Sequence, residues 1–391
     1  MIPTENKKPK RILIFSLAYL PHVAGAEVAV KEITDRLNPA EFSCDMVTLR
    51  FTKNDLSEEK IANLTIYRKR WSGLPFFLQK VLFPFTAFAA ALRLHRKNHY
   101  DLVWSIMASY AGFAAVFFKY CFPKVSFLLT IQEGENFGRR KVFRFLFKRI
   151  FRRADRIQVI SNFLADWARK MGAVCPIEVV PNGVSLRNFQ KPIDNNQKKE
   201  MKERFGFKED DVVLITTSRL VPKNRVGDVV EAMKFLPENV KFSILGIGHL
   251  ESSLKSLVTS SKLETRVRFV GFVNHSDLPS YLHSADIFIR TPISEGFGVS
   301  YVEAMAAGLP VIATPVGGIE DFIRDPSTGS EQVATGLFTK VGDPKDIADK
   351  ISRLINNKVL RDRLVANASK MVSEKYDWNL VAQNMADILS R

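Results

Sequence analysis

A chain of 391 residues is too long for one compact core and fits two domains, and its 46% hydrophobic and 25% charged content is that of an ordinary globular protein. Three scattered cysteines (Cys44, Cys121, Cys175) exclude a disulfide framework and point to a reducing compartment, and no CxxC or Cys/His cluster suggests zinc. The net charge of +16 is lopsided: residues 1–190 carry 30 Lys or Arg against 15 Asp or Glu, a net +15, so whatever this charge attracts meets the first half.

Residues 1–10 are polar and basic, without the apolar core of a signal peptide. Residues 11–16 (RILIFS) read as a first buried strand. A helix over 26–37 follows, with Val28, Ile33 and Leu37 on one side. Further strands are expected at 45–49, 64–67, 101–106, 126–130, 157–161 and 177–180. The apolar runs 81–92 and 102–118 both fall short of the roughly 20 residues a membrane span requires. A buried strand feeding a buried helix explains the second run better. Residues 190–211, polar and rich in Lys, Asn and Asp, read as a linker. A second series of strands is expected at 212–216, 241–245, 267–270, 287–289 and 311–313, with a last helix near 380–389. Strands alternating with helices imply two doubly wound α/β halves facing a cleft, with ligands at the carboxyl ends of the strands.

The most informative stretch begins at Glu295 and reads EGFGVSYVE to Glu303, then AMAAGLPVIATPVGG. It sets one carboxylate in a glycine loop and a second in the helix that the loop opens. The small residues Ala304, Ala306 and Ala307 keep that helix slim, Gly308 is placed to end it, and Pro310 forbids its continuation. The backbone amides of Phe297, Gly298, Val299 and Ser300 are expected to point at a ligand from the helix start, and Glu303 leans the same way. Arg219 and Lys223 follow the first strand of the second half, where two cations suit a diphosphate whose charge grows as a bond to it breaks, against the plainer reading of two solvated loop cations. Gly246-Ile247-Gly248 follows another strand; a tight turn explains it at least as well as a ligand does. RFVGFV, residues 268–273, comes next and includes Val270.

In the first half, Pro21-His22-Val23-Ala24-Gly25-Ala26-Glu27 follows strand one, with His22 as an ordinary loop histidine or a sugar contact. Gln132, Glu133 and Glu135, in TIQEGE at the end of a strand, are candidates for a sugar hydroxyl or the acceptor, against plain loop polarity. Pro181-Asn182-Gly183-Val184 reads as a structural turn. Residues 139–153 (RRKVFRFLFKRIFRR) place Phe143, Leu146, Phe147 and Ile150 on one helical face and Lys141, Arg144, Lys148 and Arg152 on the other. Phe145 and Phe151 fall towards the basic side, so Arg140, Arg144, Phe145, Lys148, Phe151 and Arg152 form a candidate membrane surface beside the bland reading of a solvated helix. The apolar, basic region 74–97 adds a second such contact.

Taken together, these strings resemble the retaining glycosyltransferases of family 4, which share the GT-B fold and an E-x7-E signature; the resemblance covers most of the chain. It implies that Glu295 meets the transferred sugar and Glu303 the ribose hydroxyls, with Arg219 and Lys223 on the donor diphosphate. Arg219, Lys223 and Glu295 are thus the expected catalytic residues. Gly25, Gly246 and Gly248 are expected beside the donor, and Val270 beside its base through the backbone. Three departures stand out: Ala24 replaces a usual glycine, Asn224-Arg225 stands where many relatives have Lys-Gly, and Gln132-Glu133 stands where many carry a histidine. The implied organisation is a basic acceptor domain over 1–189, a linker over 190–211, a donor domain over 212–372 and a terminal helix over 373–391 that crosses back. The resemblance implies a UDP- or GDP-sugar and a glycan acceptor, while the +15 first half and the aromatic-basic stretch point to a lipid-linked acceptor and an anionic membrane surface. No metal, other cofactor or nucleic acid is expected, and the location is the cytoplasmic face of a membrane. The competing readings are an epimerase or phosphorylase on the same fold and a non-catalytic anion or nucleic-acid binder.

Overall fold

The apolar run that opens the chain forms β1 (Lys10–Phe15), whose Ile12, Leu13, Ile14 and Phe15 are all fully buried. Burial on both faces is what a parallel strand between two helical layers requires. The computed structural model describes residues 8–22, 25–70, 73–133, 141–191, 193–327 and 333–391. The chain divides into two units, residues 1–182 with 378–391, and residues 183–377.

The first unit continues with α1 (Gly25–Thr34), β2 (Phe42–Leu49), β3 (Glu58–Ile61), β4 (Leu64–Lys69) and α2 (Phe76–Asn98). It is completed by β5 (Leu102–Ile106), α3 (Tyr110–Cys121), β6 (Ser126–Ile131), α4 (Lys141–Arg153), β7 (Arg156–Val159), α5 (Asn162–Lys170) and β8 (Ile177–Val179). Its sheet runs β3-β4-β2-β1-β5-β6-β7-β8. All pairs are parallel except β3 with β4. The edge strand β3 is charged and largely exposed, which blunts edge-to-edge pairing. Helix α2 passes through Pro84 and buries Phe83, Ala87 and Ala91. Among the described residues it is the one helix long and apolar enough to span a membrane, a test that core helices also pass. Helices α2, α3 and α4 lie side by side.

The second unit opens with α6 (Leu186–Phe189) and α7 (Asn195–Arg204). The polar stretch read as a linker is therefore helical in part. Asp194 caps α7 by accepting from the Gln197 amide at 2.8 Å, while the Gln197 side chain accepts from the Asp194 amide at 3.1 Å. This D-x-x-Q capping box was the overlooked signal, because polarity alone does not separate a surface helix from a linker. Lys202 then fastens the helix, donating to the carbonyls of Asp211 and Glu209 at 2.6 and 3.1 Å.

Beyond lie β9 (Val212–Thr217), α8 (Val226–Ala232), β10 (Val240–Leu245), α9 (Glu251–Ser260), β11 (Val267–Gly271), α10 (Leu278–His283) and β12 (Ile287–Arg290). The unit ends with α11 (Val299–Ala306), β13 (Val311–Ala313), β14 (Leu337–Phe338), α12 (Pro344–Asn356) and α13 (Lys358–Lys375). Its sheet is wholly parallel, in the order β11-β10-β9-β12-β13-β14. The chain steps outward from β9 to β11, then returns to the other side of β9 as β12. That reversal between β9 and β12 is the switch point at which doubly wound sheets take their ligands.

The last helix, α14 (Trp378–Ser390), belongs to the first unit. Its Trp378, Val381, Met385, Ile388 and Leu389 share an apolar core with Ile12, Ile14 and Ile33. Arg36 Nε donates to Asn379 Oδ1 at 3.1 Å on the rim of this contact. Trp378→Ala is expected to cost about 3–5 kcal/mol, read as a lowered urea midpoint for the first unit. A midpoint equal to that of the unaltered chain would remove Trp378 from the core's support.

Candidate functional site

Four loops of the second unit are tied together at the carboxyl ends of their strands. After β9, the Asn224 side chain donates to the Arg219 carbonyl at 2.8 Å and is itself buried. Arg225 is occupied by Asp228, with contacts of 2.5 and 2.9 Å, and adopts φ +46°, in the left-handed region that favours glycine. Of the basic candidates here, Arg219 is exposed and Lys223 half-buried. The amide of Ile293 donates to the Lys223 carbonyl at 2.9 Å, joining this loop to the one after β12.

The glycines of Gly246-Ile247-Gly248 are demanded by packing. A Cβ on Gly246 would stand 1.9 Å from the Ser218 carbonyl oxygen, and one on Gly248 2.3 Å from that of Leu220. The same approach lets the Leu220 amide donate to the Ile247 carbonyl at 3.0 Å and the Gly246 amide to that of Gly271 at 2.7 Å. Val270 lies half-buried in β11 just before that contact.

Glu295 is held by its main chain and by its carboxylate. Its carbonyl accepts from the Gly318 amide at 3.0 Å, and a Cβ on Gly317 would approach that carbonyl oxygen to 2.0 Å. Glycine is therefore the fit at Gly317, whose φ is +60°. The carboxylate accepts from Arg290 Nη2 at 2.7 Å and from the Gly296 amide at 3.2 Å. Burial by itself would raise its pKa. Arg290 and then Lys223 outweigh that and hold the group below the ordinary carboxylate value.

Arg290 is a residue of this site that the sequence reading missed. It ends β12, is buried, and reaches three groups besides Glu295. Nη1 donates to Ser300 Oγ at 3.0 Å and Nη2 to Asn224 Oδ1 at 3.3 Å, while the guanidinium stands 5.6 Å over the Tyr301 ring. Tyr301 closes the arrangement by donating its hydroxyl to the Arg290 carbonyl at 2.7 Å. The available signal was a cation ending an apolar strand, five residues before an acid.

Helix α11 starts from Gly298 at φ +95°. The Phe297 side chain is buried against Phe322 and Tyr376, at 5.2 and 5.7 Å, so only its backbone can face a ligand. Ser300 is engaged by Arg290, and Val299 is half-buried at the first turn. Glu303 is buried one turn on, and its Oε1 lies 2.8 Å from His275 Nε2. His275 was likewise not singled out in the sequence. Among the described residues no group of three His, Cys, Asp or Glu side chains is gathered around a metal position.

The first unit presents its own set. His22 Nε2 lies 3.4 Å from Asp55 Oδ2, and its ring stacks on Phe51 at 4.8 Å. Burial would raise the Asp55 carboxyl, but hydrogen bonds from Thr52 and the nearby His22 bring it down to about 2. The Gln132 amide oxygen accepts from Asn182 at 3.0 Å, which gives the PNGV turn a partner, and Glu133 is half-buried. A Cβ on Gly25 would meet nothing within 4 Å, so internal packing makes no demand for glycine there. Ala24, Glu135 and Arg140, and the side chain of Arg144, lie outside the described residues.

One membrane-surface residue needs correcting. Phe151 is fully buried, its ring meeting Trp167 of α5 edge-on at 5.4 Å. The side of α4 that carries it packs against a neighbouring helix, which a helical wheel does not disclose. Phe145 is 57% exposed under Arg149, Leu146 is exposed as well, Arg152 is exposed and Lys148 half-buried.

Residues 197–371 match the family model described as Glycosyl transferases group 1, and residues 23–188 the one described as Glycosyltransferase Family 4. The chain is a group 1 glycosyltransferase. This glycosyltransferase is 28% identical over 214 residues to an uncharacterised glycosyltransferase of Methanocaldococcus jannaschii, covering 54% of this chain and 53% of that protein. It thus spans about half the length of that relative. It is 26% identical over 344 residues to the alpha-monoglucosyldiacylglycerol synthase of Acholeplasma laidlawii, covering 82% of this chain and 84% of the synthase. Its fold is that of the GT-B enzymes. The Anabaena protein HepE in complex with UDP-glucose superposes with a TM-score of 0.78 at 18% identity, over 97% of this chain and 99% of that one.

The Arg290–Glu295 pair is expected to make the stability of this glycosyltransferase pH-dependent. Because the pair depresses the Glu295 pKa, its stabilisation is complete above the ordinary value of about 4.3 and is lost as pH falls through the lower folded value. Arg290→Met is expected to cost about 3–5 kcal/mol near neutrality, by stranding a buried carboxylate. The gap to the unaltered enzyme should narrow as pH falls, beginning above the ordinary carboxylate value, because burial without Arg290 raises the pKa of the stranded carboxylate. Urea midpoints across pH measure this; a gap that does not narrow in acid would rule the pair out as its source.

Proposed function

We propose that this enzyme transfers a sugar, with retention at the anomeric carbon, from a UDP- or GDP-sugar to a glycan or lipid-linked acceptor. The observation that carries the reading is the gathering of Lys223, the Glu295 carboxylate and the start of α11 at the switch point of the second sheet. In this reading Arg219, Lys223 and the amides of residues 297–300 receive the diphosphate, Glu295 accepts from a hydroxyl of the transferred sugar, and Glu303 accepts from the ribose. The charge that develops on the leaving phosphate is met by protein cations and amides, so the chemistry proceeds without a metal ion. The acceptor hydroxyl adds its oxygen to the anomeric carbon on the face from which the nucleoside diphosphate departs. Its proton passes to the departing phosphate oxygen, so one C–O bond forms as one breaks and no enzyme nucleophile is used. HepE, which shares the fold, binds UDP-glucose, in keeping with a nucleotide-sugar donor.

A lipid-linked acceptor at the inner face of the cell membrane, in the synthesis of a surface polysaccharide or glycolipid, is part of the same proposal. The name of the Acholeplasma relative, a glucosyldiacylglycerol synthase, supports it. So does the α2-α3-α4 layer of the basic half. Phe77, Leu78, Val81 and Phe85 stand exposed along α2, with Phe145 and Leu146 exposed on α4. Lys80 lies 4.5 Å over the Phe76 ring, and Arg153 4.3 Å over that of Tyr120. Exposed aromatics beside cations suit an anionic lipid surface.

Donor turnover assayed in excess EDTA should persist in the unaltered enzyme and fall by about 10²-fold or more in Arg219→Ala and in Glu295→Ala. Near-normal rates in both variants would overturn the assignment. Flotation with phosphatidylglycerol vesicles at low salt should recover the enzyme, and the double variant Phe77→Ser, Phe145→Ser should stay behind. Failure of the unaltered enzyme to float would remove the membrane from the proposal.

A further inference from the structure

Glu303 shares its carboxylate with a residue from a different strand-to-helix connection. His275 lies between β11 and α10, in a turn where the amides of Asp277 and Leu278 both donate to the Asn274 carbonyl, at 3.0 and 3.1 Å. That turn delivers the imidazole to α11, with Nε2 2.8 Å from Glu303 Oε1. The ring also meets that of Phe189, with centroids 5.5 Å apart at 58°, and Phe189 is fully buried. The His275 side chain is 59% exposed and that of Glu303 only 9%, so the imidazole borders the carboxylate on its solvent side. An ionised carboxylate only accepts hydrogen bonds, so Nε2 carries the proton in either charge state of the ring.

We propose that His275 is a positioning residue for nucleotide recognition. It holds Glu303 in the orientation that accepts ribose hydroxyls, and so lets the enzyme distinguish ribonucleotide from 2′-deoxyribonucleotide donors. This rests on the reading of Glu303 as the ribose-binding group. A carboxylate offers about four lone-pair directions, and His275 takes one of those on Oε1, which leaves enough for two neighbouring hydroxyls. Without the imidazole, the ligand itself would have to order the Glu303 side chain, and its affinity would fall by the cost of that ordering. A ligand with an incomplete diol draws less on the ordered carboxylate and loses less when the order is gone. A purely structural role predicts the opposite: both nucleotides would weaken together.

The test is calorimetric binding of UDP, GDP and their 2′-deoxy counterparts to the full chain. The unaltered enzyme should bind the ribonucleotide more tightly than the deoxynucleotide. His275→Ala, at a largely exposed position, should weaken the ribonucleotide about tenfold and leave the deoxynucleotide within about twofold. His275→Gln, whose amide nitrogen reaches the place of Nε2, should recover most of the loss. Equal weakening of both forms, or unchanged ribonucleotide binding in His275→Ala, overturns the inference. Failure of the unaltered chain to bind any of the four nucleotides overturns the donor reading, and this inference with it.

Discussion

A guanidinium buried at the end of a central strand has to be answered where it stands. At Arg290 the answer comes from Glu295 in the following loop, Ser300 in α11 and Asn224 in the loop after β9. Three backbone segments are thereby registered on one side chain, and the Tyr301 hydroxyl returns to the carbonyl of that same residue. Glu295 is then fixed a second time, through its main chain, by the Gly317-Gly318 turn. The switch point of the sheet would exist without this hub, since strand order alone creates it. The orientation of the groups around it would not.

The two glutamates look alike in sequence and are handled differently in the fold. Glu295 is balanced by a buried guanidinium and a nearby lysine, which keep it ionised despite its burial. Glu303 is bounded by an exposed imidazole from another connection. In both cases the protein supplies a donor behind or beside the acceptor it would present to a sugar. For Glu295, held below the ordinary carboxylate value, that arrangement suits hydroxyl recognition better than proton transfer, which would call for a carboxyl group poised near neutrality.

The strands were readable because a parallel sheet covered on both faces writes itself as short apolar runs, as at residues 11–15 and 311–313. The opening of α11 was readable too, since a glycine must take the left-handed conformation that Gly298 adopts. What stayed hidden depended on neighbours that no local pattern names. Phe151 looked solvent-facing until Trp167 was seen to cover it. Arg290 and His275 carry no motif of their own; each acquires a role from the carboxylate it meets. The G-x-G turn shows the reverse case. Its glycines are explained by the carbonyls of Ser218 and Leu220, so their presence alone says little about a phosphate.

The placement of α14 sets an order on the birth of the protein. The second unit is one continuous segment, 183–377, whereas the first needs pieces from both sides of it. Synthesis proceeds from the N-terminus, and domains generally fold as units while it does. The second unit therefore has its whole sequence before the first does, although the first is begun earlier. Until residues 378–390 emerge, the pocket awaiting Trp378 and Met385 stays open, and the nascent sheet bears an uncovered apolar face. For this chain the first unit, begun before the second, is finished only after all of residues 183–377 have been made.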